Sequence, residues 1–315
     1  MRSALVFAAL TLAACTAKSN PTGDQLIPAD ATLLVGADVA GILSSEIFGL
    51  FKPKLAKQVD ELAWLDLLRD CGVDPIQHRL TLVAGSDGVD EAAAVFTGDG
   101  LGDATKIQCI GDKFNEQRRG NPMFVLHDRT AGPPPAGQLA VAMVIDPRTV
   151  VFTSPGWAAP VHDLTLGKGR AAMDGPSRAL FDRAARTAHL WSAGKIPAKV
   201  AADARGGLPA EPREIYAAID LSAGLGVRVD IGFGGPEQAA PVRSSVETTA
   251  PMIKSLGPMI GLAPKTIESI KLEMKGDEVH FEMLLAVADA LALDKKFDPP
   301  PEPPPPPDIQ HPPPS

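Results

Sequence analysis

Residues 267–287 place the tightest constraint on how this chain can fold. Ile267 to Met274 and Val279 to Val287 alternate apolar and polar positions, and Lys275-Gly276-Asp277-Glu278 separates them. A period of two marks a strand with one buried face, and a short Gly- and Asp-containing connection closes two such strands into a hairpin. Ile270, Leu272 and Met274 then share a face with Phe281, Met283 and Leu285, while Lys271, Glu273, His280 and Glu282 point outward. A sheet with one apolar face has to be covered, so the chain needs helices laid over it.

The other segments fit that plan. Strands are expected at 31–38, 79–85, 92–98, 123–127, 139–145, 149–153, 188–193, 214–221 and 226–233, with tight turns at Ser86-Asp87-Gly88 and Asp146-Pro147-Arg148. Residues 39–70 read as helical, because Ile47, Leu50, Phe51, Leu55, Val59, Leu62, Leu65 and Leu68 recur every three or four residues and make one buried face. Pro53 is expected to break or restart that helix. Three further helices are expected: a short one at 104–110, one begun by Asp174-Gly175-Pro176 with the face Ala179, Leu180 and Ala184, and one from Gly234-Gly235-Pro236 to about Leu256. The expected class is α+β, with antiparallel sheet(s) covered by helices on one face. Val35 to Ala40 and Ala217 to Ser222 each end a strand in Asp, an apolar residue and a small one, which suggests two similar subdomains. They would occupy 27–194 and 213–297, joined by an Ala-, Gly- and Pro-rich linker or long loop at 195–212. Residues 298–315 hold eleven prolines in eighteen positions and read as a disordered polyproline tail.

The N-terminus carries a second strong pattern. Met1-Arg2-Ser3 supplies one positive charge, Ala4 to Ala14 is apolar or small throughout, and the run ends Leu12-Ala13-Ala14-Cys15. Eleven residues are too few to span a bilayer, which takes about 20 in a helix. The segment instead resembles the signal and lipobox of a bacterial lipoprotein precursor. That resemblance implies cleavage after residue 14, lipid on Cys15, a tether over 15–26 and attachment to the cell envelope. Thr16, in place of Asp, implies the outer membrane under the Asp sorting rule. The opening Ile27-Pro28-Ala29-Asp30-Ala31-Thr32-Leu33-Leu34-Val35-Gly36 looks like the start of extracytoplasmic bacterial proteins of unknown function, whose first strand comes after Pro-Ala-Asp and continues into helix-covered antiparallel sheets.

Net charge narrows the functions. At −8 the chain lacks the basic face that nucleic acid demands. Cys71 and Cys109 remain after Cys15; in an oxidising compartment they can pair across 37 intervening residues, or stay as buried thiols. As a disulfide they would contribute about 4 kcal/mol in the chain-entropy model. His78, His127, His162, His189, His280 and His311 show no metal-ligand spacing and are expected at the surface or at strand ends. Gly98-Asp99-Gly100-Leu101-Gly102 has the wrong spacing and charge for a phosphate loop and reads as a turn. Asp38 and Asp220 are expected to cap the helix or turn after their strands, and Asp87, Asp90, Asp99 and Asp103 to sit in solvated turns. No nucleophile elbow is present. The expectation is a non-catalytic envelope lipoprotein without cofactor, binding or scaffolding another envelope component. The alternative is a carrier of lipid or another apolar ligand, with a hydrolase built from converging loops as a third reading.

Overall fold

The computed structural model describes residues 23–58, 63–117, 124–134, 139–204 and 209–297. The expectations for residues 1–22, Cys15 among them, and for the 298–315 tail lie outside these. The strands are β1 (Leu33–Asp38), β2 (Thr81–Ser86), β3 (Ala92–Thr97), β4 (Phe124–His127), β5 (Ala140–Asp146), β6 (Thr149–Thr153), β7 (Leu190–Lys195), β8 (Glu214–Asp220), β9 (Leu225–Gly232), β10 (Lys271–Lys275) and β11 (Glu278–Leu285). The helices are α1 (Val39–Ser44), α2 (Glu46–Gln58), α3 (Ala63–Asp70), α4 (Ala104–Gln117), α5 (Ala158–Thr165), α6 (Arg178–Phe181), α7 (Ala198–Ala204), α8 (Pro236–Ile260), α9 (Pro264–Ser269) and α10 (Val287–Phe297).

These strands join one sheet, in the order β10-β11-β9-β8-β7-β1-β2-β3-β6-β5-β4. Every pairing is antiparallel except β4 with β5, so the fold is α+β with a mostly antiparallel sheet. The strand order repeats about the antiparallel β1–β7 pair: β1-β2-β3-β6-β5 on one side and β7-β8-β9-β11-β10 on the other. β7 is therefore the counterpart of β1, whereas the short sequence echo pairs β1 with β8.

Alternation gives the sheet two faces. Following the register, the front carries Leu82, Phe96 and Phe152 on one half and Ala217, Val229 and Phe281 on the other. The back carries Leu34, Val95, Val151 and Met143. On the β1–β6 half, helical cover extends to both faces. Leu26, Ile27, Trp157, Val161 and Phe181 close the back, and α3 and α4 lie over the front. On the other half α8 packs on the front through Ala239, Val242 and Val246, while α2 and α10 meet β11 through Ile47, Ala290 and Leu285. At the seam the Trp191 indole presses on Gly36, where a Cβ would lie 2.2 Å from the ring. Only glycine permits that approach.

Several boundaries differ from those expected of the sequence. Pro53 lies inside α2, and the break falls at Ser45, whose hydroxyl accepts from Phe48 N and donates to the Ile42 carbonyl. Of the apolar face expected over 39–70, Ile47 and Phe51 turn to β11 and α10, while Leu65 and Leu68, joined by Phe48, turn toward β2 and β3; Val59 and Leu62 lie outside the described residues. Ile267 to Ser269 belong to α9, not to the hairpin strand. Pro264 starts that helix where a missing N–H is harmless, and its Thr266 donates to Asp289 at 2.6 Å. Residues 195–212 include α7, with Ala201 buried, and Gly23–Leu26 forms a 3-10 turn whose Leu26 is buried.

Candidate functional site

The front of the β1–β6 half does not close. Between the sheet and α1–α4 lies a cavity of about 650 Å³, and all eighteen residues that line it are apolar. Its floor is Leu82 from β2, Phe96 from β3, Val150 and Phe152 from β6, Ala140 from β5 and Phe124 from β4. Three of these phenyls interlock edge to face. Phe152 stands 5.7 Å from Phe96 and 5.0 Å from Phe124, with the rings near perpendicular. The roof follows helical spacing: Val39, Ile42 and Leu43 on α1, Phe48 on α2, Leu65 and Leu68 on α3, and Ile107, Ile110 and Phe114 on α4. Ile42, Leu43, Phe48 and Phe114 are only partly buried, as are Leu82, Phe96 and Phe152 below them. Phe96, Phe114 and Phe152 nonetheless pack against the core cluster of Ile107, Ile110 and Val150.

Polar groups surround the cavity but do not line it. Cys71 and Cys109 form a disulfide that ties the end of α3 to α4, with Cα atoms 5.7 Å apart. Lys113 on α4 pairs with Asp70 on α3 at 2.8 Å. Asp74 closes the turn after α3, accepting from Ile76 N and Gln77 N at 2.9 and 3.0 Å. Chiefly through the Gln77 N–H, its carboxyl is held below the usual carboxylate range. Lys106 Nζ lies 3.3 Å from His78 Nε2, and His78 Nδ1 lies 2.8 Å from the Asp74 carbonyl and 3.2 Å from the Asp74 N–H.

The remaining sequence candidates sit elsewhere. Asp38 caps α1 through Gly41 N at 2.9 Å, and Asp220 accepts from Ser222 N at 2.8 Å and lies 3.3 Å from His189. The segment 98–102 is a turn, with Gly100 at φ +69° and Leu101 buried. Among the described residues no group of His, Cys, Asp and Glu could hold a metal ion. Two histidines expected at the surface are buried. His280 donates from Nδ1 to Asp230 at 2.5 Å, beside Arg228 and Glu282, and His162 Nε2 contacts the Arg129 carbonyl at 3.1 Å. The first pair forms because β9 and β11 place Asp230 opposite His280, a register that alternation within either strand does not reveal. On its other side Asp230 lies opposite Tyr216 of β8, whose hydroxyl donates to Glu214 at 3.1 Å, and the Asp230–His280 pair is a satisfied buried polar pair.

No family model matches the chain, and none of the curated proteins does. Among solved structures the chain is similar to crystal form I of TP0453, at 9% identity and a TM-score of 0.44, over 89% of this chain and 98% of that one. A likeness at that level supports no functional inference.

Proposed function

We propose that this chain is a lipid-anchored lipoprotein of the bacterial cell envelope that carries an apolar ligand, of the class of a lipid acyl chain, in the cavity between α1–α4 and the sheet. The observation that carries this reading is the size of the cavity and its wholly apolar lining. Apolar surface left facing open volume is stabilised by about 25 cal/mol for each Å² that a ligand covers, so a groove of about 650 Å³ lined by apolar side chains alone favours an apolar occupant. Because no lining residue offers a side-chain hydrogen bond, the bound portion of the ligand has no polar group to satisfy. The lipobox supports the anchor, and the wholly apolar lining supports a binding role without chemistry.

Extraction of the protein from its native envelope in mild detergent, followed by native mass spectrometry, tests both parts. The expected native ion carries a releasable apolar mass, and the denatured ion carries acyl groups on Cys15. A bare ion that travels with another protein would favour a scaffold. An unacylated chain that retains residues 1–14 would contradict the anchor.

A further inference from the structure

We propose that the Cys71–Cys109 disulfide positions the roof of the apolar cavity, so that ligand uptake depends on the bond being closed. This rests on the carrier reading. The bond joins the two helices whose side chains form most of the roof. α3 contributes Leu65 and Leu68, and Cys71 comes directly after its last residue. α4 contributes Ile107, Ile110 and Phe114, and Cys109 falls between the first two. Neither cysteine lines the cavity, so the pair acts through its neighbours.

The location of the bond matches what the roof lacks. A helix over a sheet is normally held by side chains packed into the layer below. Here Leu68, Ile107, Ile110 and Phe114 pack in one cluster with the sheet and also border open volume, so part of those contacts is missing. The Lys113–Asp70 ion pair also links the two helices, but its side chains are 38% and 62% exposed, and a pair in that setting holds weakly. The disulfide is the link whose length solvent and salt do not alter.

The test titrates the full chain, stripped of lipid, with a fluorescent long-chain fatty acid, comparing the oxidised protein with C71A/C109A. The oxidised protein should bind about one probe per chain, and the double variant at least about ten-fold more weakly with an unchanged far-UV spectrum. Equal affinities would overturn the clasp. Absence of saturable binding by the oxidised protein would overturn the carrier reading instead. A redox titration of the unsubstituted protein decides the matter should the double variant fail to fold. An external dithiol delivers two electrons and two protons to the disulfide, giving two thiols and its own disulfide. Since coupling is reciprocal, saturating probe should make the bond ten-fold harder to reduce, a shift of about 30 mV to more negative potential. An unmoved potential would overturn the proposal.

Discussion

Leu82 and Leu34 sit on neighbouring strands but on opposite faces of the sheet, which allows a controlled comparison. Leu82 lines the cavity and is partly buried; Leu34 is fully buried in the close-packed back core, against the Ile27 and Gly85 region. Changing either to Phe adds three carbons. At position 82 they can enter open apolar space, each worth up to about 0.8 kcal/mol when removed from water, so the ligand-free protein should gain about 1–2 kcal/mol. At position 34 no space exists, and overpacking should cost about 1–3 kcal/mol. The two variants should thus move the urea midpoint in opposite directions at constant slope. L82F should also bind an acyl probe more weakly, since the new ring occupies the ligand's volume, while L34F should leave affinity unchanged wherever it is folded. Equal destabilisation by the two substitutions would show that the front face is as tightly packed as the back, and the cavity argument would fail.

Other outcomes rest on single contacts. Gly36→Ala should destabilise by about 1–3 kcal/mol and shift the Trp191 emission, because the new methyl meets the ring; unchanged stability would show that the ring moves freely. Asp74→Ala should cost about 1 kcal/mol near neutrality, as other lost caps do. The folded carboxyl titrates below its unfolded value of 3.8, so its stabilisation is present above about pH 4 and is lost as pH falls through the lowered folded value. The variant and the parent should therefore converge in urea midpoint in strong acid, and a constant gap would refute the assignment. Tyr216, the only tyrosine, is pushed up to about 12, first by burial and then by the Glu214 carboxylate. Its phenolate absorbance should appear near 12, not 10. The stability it contributes is complete below about pH 10 and lost as pH rises toward 12.

The hairpin of β10 and β11 was legible because its signal is local: period two, a Gly-Asp turn, and one face polar. The Cys71–Cys109 pairing was accessible for a similar reason, since a helix at 104–110 brings Cys109 back to the end of the preceding helix. Two-sided cover of β5 and β6 was harder to read. Val141, Met143 and Ile145 enter the back core while Ala142 and Val144 face the front, so alternation disappears when both neighbours are apolar. Few aromatics and Ala- and Gly-rich strands leave room for a cavity beneath the helices, but which residues line it left no mark in the sequence. Ile107, Ile110 and Phe114 have the same spacing whether the layer they pack on is filled throughout or partly open. Asp230 and His280 illustrate the remaining gap, because their burial depends on a strand register set fifty residues apart.

Whether the cavity takes up an acyl chain can be decided by calorimetric titration of the lipid-free, disulfide-intact protein with a long-chain fatty acid, repeated at several temperatures. A carrier should show one saturable site, an enthalpy that falls with temperature as apolar surface leaves water, and loss of the site in L82F. Heats that never saturate at any temperature, or a site indifferent to L82F, would contradict it.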